Sequence, residues 1–126
     1  MSRRAIQPDD VVRPKAPYSP VVVDGDLVFT AGQVGFDEQG ELVEGGLEAQ
    51  TRRALENLTG CLRAAGCGPE HVLKVNAYLA DLGGFETYNA VYHEFFAEPY
   101  PARTTVGALL PGGIVVEIEA IARRPA

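Results

Sequence analysis

The chain has no tryptophan, one methionine, two cysteines and two histidines among its 126 residues. Cys61 and Cys67 show neither a CxxC spacing nor a histidine-rich neighbourhood, which argues against a disulfide framework or a zinc site. Cys61 falls on the apolar stripe of a predicted helix, and both thiols read as small buried hydrophobes. No apolar run approaches the ~18 residues of a membrane span. Nor does an apolar stretch follow Arg3-Arg4, as a secretory signal requires, so the expected compartment is the cytoplasm. Positive charge is also scarce. Eleven Lys and Arg against seventeen Asp and Glu leave a net charge of −6, which argues against a nucleic-acid partner. The basic cluster of Arg3, Arg4, Arg13 and Lys15 reads as a solvated N-terminal arm. A phosphate-binding glycine loop, a dinucleotide fingerprint and a metal-ligand cluster are all missing, and no cofactor is expected. His71 and His93 have no nearby nucleophile partner, so a Ser/His or Cys/His mechanism is unsupported.

What remains is ordinary globular material, 46% hydrophobic and 22% charged. A chain of this length reads as one domain over residues 1–126 and buries roughly 65–70% of its unfolded surface, enough to fold without a disulfide or metal. Residues 1–16 are expected as an irregular arm, because Pro8 and Pro14 interrupt regular structure. Val21–Val23 and Leu27–Ala31 flank Asp24-Gly25-Asp26 and predict a hairpin. Glu41–Glu44 is a candidate short edge strand. From Leu47 the period changes. Ala54, Leu55, Leu58, Cys61, Leu62 and Ala65 follow helical spacing, with Gly66 placed to end the helix. Leu73–Leu79 alternates as a strand, and Phe85, Tyr88, Tyr92, Phe95 and Phe96 stripe a second helix that ends before Pro99. The expected class is α+β, a mainly antiparallel sheet with two helices on one face. Val28, Thr30, Tyr78, Thr105 and Ile121 are expected on the other face, which is partly apolar and invites oligomerisation.

Thr104–Leu110 and Ile114–Ala122 are β-branched, apolar runs separated by Pro111-Gly112-Gly113, and read as one β-hairpin. Period two then puts Thr104, Val106, Ala108 and Leu110 toward the core and Arg103, Thr105, Gly107, Glu117 and Glu119 on the opposite face. In that register Arg103 opposes Ile121, and Glu117 lies roughly 13 Å further along. One small molecule bridging both within a chain is awkward, so Arg103 of one subunit is expected to work with Glu117 of its neighbour.

Arg103, after Pro101-Ala102, offers a planar fork that matches a carboxylate; the competing reading is a salt bridge to Glu119 or Asp81. Glu117, between Val116 and Ile118, is a carboxylate whose partial burial raises its pKa toward general-base use; a structural ion pair is the alternative. Tyr18, after Pro17, is either a phenol at a site edge or simple packing.

Six stretches then stand together in order. They are Pro17-Tyr18-Ser19, Thr30-Ala31-Gly32-Gln33, Gln50-Thr51 with Leu55-Glu56-Asn57-Leu58, Asn89 to Phe96, Pro101-Ala102-Arg103-Thr104, and Leu110-Pro111 leading to Val116-Glu117-Ile118-Glu119-Ala120. In these the chain resembles the RidA family, also called YjgF/YER057c and, in older usage, endoribonuclease L-PSP, from about Ala16 to Ala122. The resemblance implies a chorismate-mutase-like fold, a homotrimer with clefts between subunits, and hydrolysis of small 2-imino acids to 2-oxo acids and ammonia. It implies no cofactor of its own, but a functional link to the pyridoxal-phosphate enzymes that release such imines. It matches Arg103 to a substrate-carboxylate arginine, Glu117 to a water-activating carboxylate, and Tyr18, Gly32 and Asn89 to pocket residues. Three departures bear on substrate range and rate: Ala31 stands where serine is usual, Thr105 where cysteine is usual, and the segment from Arg103 to Leu110-Pro111 is one residue short. The rival functions are an endoribonuclease or translation inhibitor, and a non-catalytic trimeric module binding small carboxylates.

Overall fold

The computed structural model describes residues 3–126. Its strands are β1 (Arg4–Ile6), β2 (Val21–Asp24), β3 (Leu27–Thr30), β4 (Val72–Leu79), β5 (Ala102–Gly107) and β6 (Val116–Arg123). They form one sheet in the order β1-β2-β3-β6-β4-β5, antiparallel except for the parallel β4–β5 edge. Two helices, α1 (Gly46–Ala64) and α2 (Phe85–Phe95), pack against each other and on one side of the sheet. The α+β class with both helices on one face is as expected.

The α1 stripe lands on the core: Leu55, Leu58 and Leu62 are at most 1% exposed, and each such burial contributes roughly 1.5–3 kcal/mol. Opposite them lie Val75, Ala77 and Leu79 of β4 and Val116, Ile118 and Ala120 of β6, all buried. Cys61 belongs to this layer, and its burial pushes the thiol up to about 12, so it is packing material. Gly66 takes the left-handed conformation, φ 83°, expected after the helix.

Three expectations need correction. The N-terminal arm is not wholly irregular: Arg4–Ile6 pairs with Val21–Val23, because the prolines begin only after Ile6 and the outer edge of β2 is open. Glu41–Glu44 forms no strand, only an isolated bridge from Phe36 to Leu42.

The largest correction concerns β5 and β6, which are not a hairpin. Between them runs β4, pairing Val75 with Arg103 on one side and with Ala120 on the other. The Pro111-Gly112-Gly113 turn exists, closed by Ile114 N–H donating to Pro111 and using positive φ at both glycines. Its arms, however, diverge around the end of β4. Ala108 N–H donates to the Leu79 carbonyl, while Ala80 N–H donates to the Val115 carbonyl. The buried Gln50 of α1 fastens the far arm, donating to the Gly113 carbonyl and accepting from Val115 N–H.

Inserting β4 also changes which faces the side chains occupy. Arg103 and Thr105, paired with Val75 and Ala77, point toward the helices; Thr104 and Val106 share the open face with Asn76, Tyr78, Glu117 and Glu119. Val28 is fully buried on the helix side, and Thr30, two residues on, shares that side; Tyr78 and Ile121 lie on the open face as expected. That open face exposes Phe29 at 40% and Val106 at 43%.

Candidate functional site

Glu117, the second residue of β6, lines a cleft of about 370 Å³ together with Tyr18, Gly32, Gln33 and Ile114. The chain after β3 continues alongside β6, with Gln33 and Ile118 exchanging backbone hydrogen bonds of 2.8 and 3.0 Å. This brings Gly32 so close that a Cβ there would sit 2.0 Å from Glu117 Oε2 and 2.8 Å from its Cγ. Glycine is required at this position for space, since its φ is ordinary. Burial, and then the neighbouring Glu119 charge, hold the Glu117 carboxyl above its ordinary range. Glu119 is itself engaged, accepting from Tyr78 OH at 3.2 Å and Asn76 Nδ2 at 3.4 Å. No cation lies within 4 Å of Glu117 among the described residues, so the ion-pair reading of it fails.

Arg103 occupies a different place. Its guanidinium carbon sits over the rings of Tyr92, Tyr88 and Phe85 at 4.6, 5.3 and 5.6 Å. These α2 rings orient the planar fork through cation–π attraction. Among the described residues no carboxylate is within 4 Å of it, so neither Glu119 nor Asp81 is its partner. Around it Tyr92 OH and Asn89 Oδ1 are buried without a hydrogen-bond partner among the described residues, while Tyr88 OH lies against Thr105 and Arg103. Burial pushes the Tyr92 phenol up to about 12, so it remains a neutral donor at physiological pH. Arg103 and Asn89 open onto a groove of about 650 Å³ shared with His93 and Tyr100. A guanidinium without a carboxylate partner has the charge and the planar donor fork to hold an anion.

Within one chain these are two separate places. Tyr18, Gly32 and Glu117 line one cleft; Arg103 and Asn89 line another groove, with Thr105 two residues further along β5. Through β4, Arg103 is level with Ala120. Glu117 is two strands and three residues away, a Cα separation of roughly 14 Å, and on the opposite face.

This arrangement can be set beside known proteins. The Endoribonuclease L-PSP family model matches residues 9–124. The chain belongs to the RidA family. The human 2-iminobutanoate/2-iminopropanoate deaminase is 40% identical over 108 residues, covering 84% of this chain and 79% of the human protein. A RutC family protein of Pyrococcus abyssi is 40% identical over 124 residues, spanning 97% of this chain and 98% of its own length. The crystal structure of RidA from an Antarctic Psychrobacter superposes with a TM-score of 0.91 at 41% identity, over 95% of this chain and 98% of that one.

Sequence reasoning missed two features of this RidA-family chain. The α2 aromatics read only as core, although their spacing already placed Tyr88 and Tyr92 one above the other. Arg13 and Lys15, assigned to a solvated arm, line the Glu117 cleft; an exposed proline-flanked segment carries no periodicity that would have placed them. His93, as expected, is exposed on the outer side of α2, and it pairs with Tyr100 at 3.0 Å. Among the described residues no helix is long and apolar enough to cross a membrane.

Proposed function

We propose that the chain hydrolyses small 2-imino acids to 2-oxo acids and ammonia, at sites each built by two copies of the chain. The observation that carries this reading is the separation of Arg103 from Glu117: each is prepared for chemistry, and one copy cannot bring them to one substrate. A cyclic trimer with the open sheet faces inward covers Phe29 and Val106 and lets the Arg103 side of one subunit meet the Glu117 cleft of the next. The deaminase names of mammalian relatives at about 40% identity support the reaction class.

Arg103 fixes the substrate carboxylate with its planar fork and turns hydration into an oriented reaction. Water adds to C2 as the C=N π pair moves to nitrogen, and Glu117 accepts the proton that water loses. A carboxyl held above its ordinary range is suited both to take that proton and to give it back. Returned to nitrogen, that proton completes a neutral carbinolamine; Glu117 then carries the hydroxyl proton to nitrogen, the C–N bond breaks, the C2 carbonyl forms and ammonia leaves. The substrates are products of pyridoxal-phosphate enzymes, to which the chain is functionally linked. The test is release of ammonia and 2-oxobutanoate from freshly generated 2-iminobutanoate, with semicarbazide as competing trap. Acceleration over buffer, lost in Arg103→Ala, is expected; carboxylate binding with no acceleration would mean a binding module instead.

A further inference from the structure

The Glu117 cleft has a second charged feature that the deaminase reading does not use. Of its lining residues only Arg13, Lys15 and Glu117 are charged, so an excess of positive charge faces the cleft in a chain of net charge −6. Among the described residues, the ion pairs are made by Arg52, Arg63 and Arg123; Arg13 and Lys15 make none. Nor do these two cations neutralise Glu117, whose carboxyl is governed by burial and by Glu119. They therefore stand apart from the water-activating group, at another part of the same cleft. The segment just before them is anchored. Val11 is buried, its carbonyl accepts from Gln7 Nε2 at 2.9 Å, and Pro14 fixes φ between the two cations. The cleft is also lined by apolar Val12, Val34, Phe36 and Ile114, beside polar Gln33 and Asn57, which suits a short carbon chain between two polar ends.

We propose that this cleft selects 2-imino acids bearing a second, distal carboxylate, with Arg13 and Lys15 as the specificity residues that receive it. This inference rests on the deaminase reading: Arg103 of one subunit holds the carboxylate next to the imine, Glu117 of the neighbour activates water at C2, and Arg13 and Lys15 beside Glu117 hold the far end.

The experiment compares 2-iminoglutarate with 2-iminobutanoate, each generated in place by an amino-acid oxidase, for the wild type and an Arg13→Ala/Lys15→Ala variant of the full chain. The wild type is expected to have the higher kcat/KM on 2-iminoglutarate. Exposed ion pairs contribute about 0.2–1 kcal/mol each, so the double substitution should lower the ratio of kcat/KM between the two substrates by about 2- to 30-fold, through KM. Lys15→Glu should lower that ratio further. A matching loss of 2-oxoglutarate affinity relative to 2-oxobutanoate, by titration calorimetry, gives a readout that needs no turnover. A wild-type preference for 2-iminobutanoate, or a ratio unmoved by the substitutions, overturns the specificity and leaves the deaminase reading standing. Failure of the wild type to accelerate hydrolysis of either substrate overturns both.

Discussion

Replacing Gly32 by alanine adds one methyl group, and its effect can be worked from the geometry. The new Cβ would lie 2.0 Å from Glu117 Oε2, 2.7 Å from Cδ and 2.8 Å from Cγ. Because the clash reaches Cγ, rotating the carboxylate about its last bond does not relieve it. Widening the backbone gap is also closed off, since Gln33 and Ile118 hold the two segments by paired hydrogen bonds. The Glu117 side chain must therefore swing, moving its carboxylate by about 1 Å or more. A misplacement of that size costs on the order of 100-fold in rate, while overpacking of this kind costs roughly 1–3 kcal/mol of stability. The assay is kcat for ammonia release, alongside a thermal melt and product-analogue affinity. Gly32→Ala should stay folded and keep its carboxylate affinity, which depends on Arg103, while kcat falls by about two orders of magnitude. Wild-type kcat in the folded variant would refute the placement of Glu117 in the chemistry.

Arg103→Ala should remove a charge-assisted interaction of roughly 1.5–3 kcal/mol, weakening product-analogue binding about 10- to 150-fold with a larger loss in rate; Arg103→Lys should recover only part, because an ammonium has no planar fork. Analogue titration with steady-state kinetics reads both, and wild-type activity in Arg103→Ala would make the arginine structural. Glu117→Gln should keep analogue affinity and lose most turnover, and the wild-type pH–rate profile should show an ionisation that the variant lacks. The same substitution has a sign-defined effect on stability. A carboxyl raised above its ordinary 4.5 favours the fold below that pH, and this contribution is lost as pH rises through the raised value. Glu117→Gln should therefore raise the melting temperature at pH 7–8 relative to wild type, with the difference vanishing below about pH 4; an equal or lower melting temperature at pH 7–8 would contradict the burial of this group.

The elements whose signals are local were legible in the chain. Leu55, Leu58, Cys61 and Leu62 announced α1 and its buried face, and Asp24-Gly25-Asp26 announced the β2–β3 hairpin. Arg103 and Glu117 were legible as candidates from their positions in strand-like runs. Their relation was not. Nothing local to residues 104–122 shows that β4, some thirty residues earlier, inserts between two strands joined by an eight-residue loop. Alternation also misled on β5, because this edge strand turns Arg103 and Thr105 under the α2 rings and leaves Val106 outward. An apolar outward face is the usual inside-out signature of a surface that a partner covers.

The shared site is the central claim, and mixing two inactive variants tests it most directly. Arg103→Ala and Glu117→Ala chains are unfolded together at equal ratio and refolded, beside a double-variant control carrying both substitutions in one chain. If Arg103 of one subunit works with Glu117 of its neighbour, random assembly of a cyclic trimer leaves about a quarter of sites with both residues intact. Ammonia release from 2-iminobutanoate should then recover to about a quarter of the wild-type rate. If both residues act within one chain, no site in the mixture is complete, and activity that stays at the double-variant level would contradict the account.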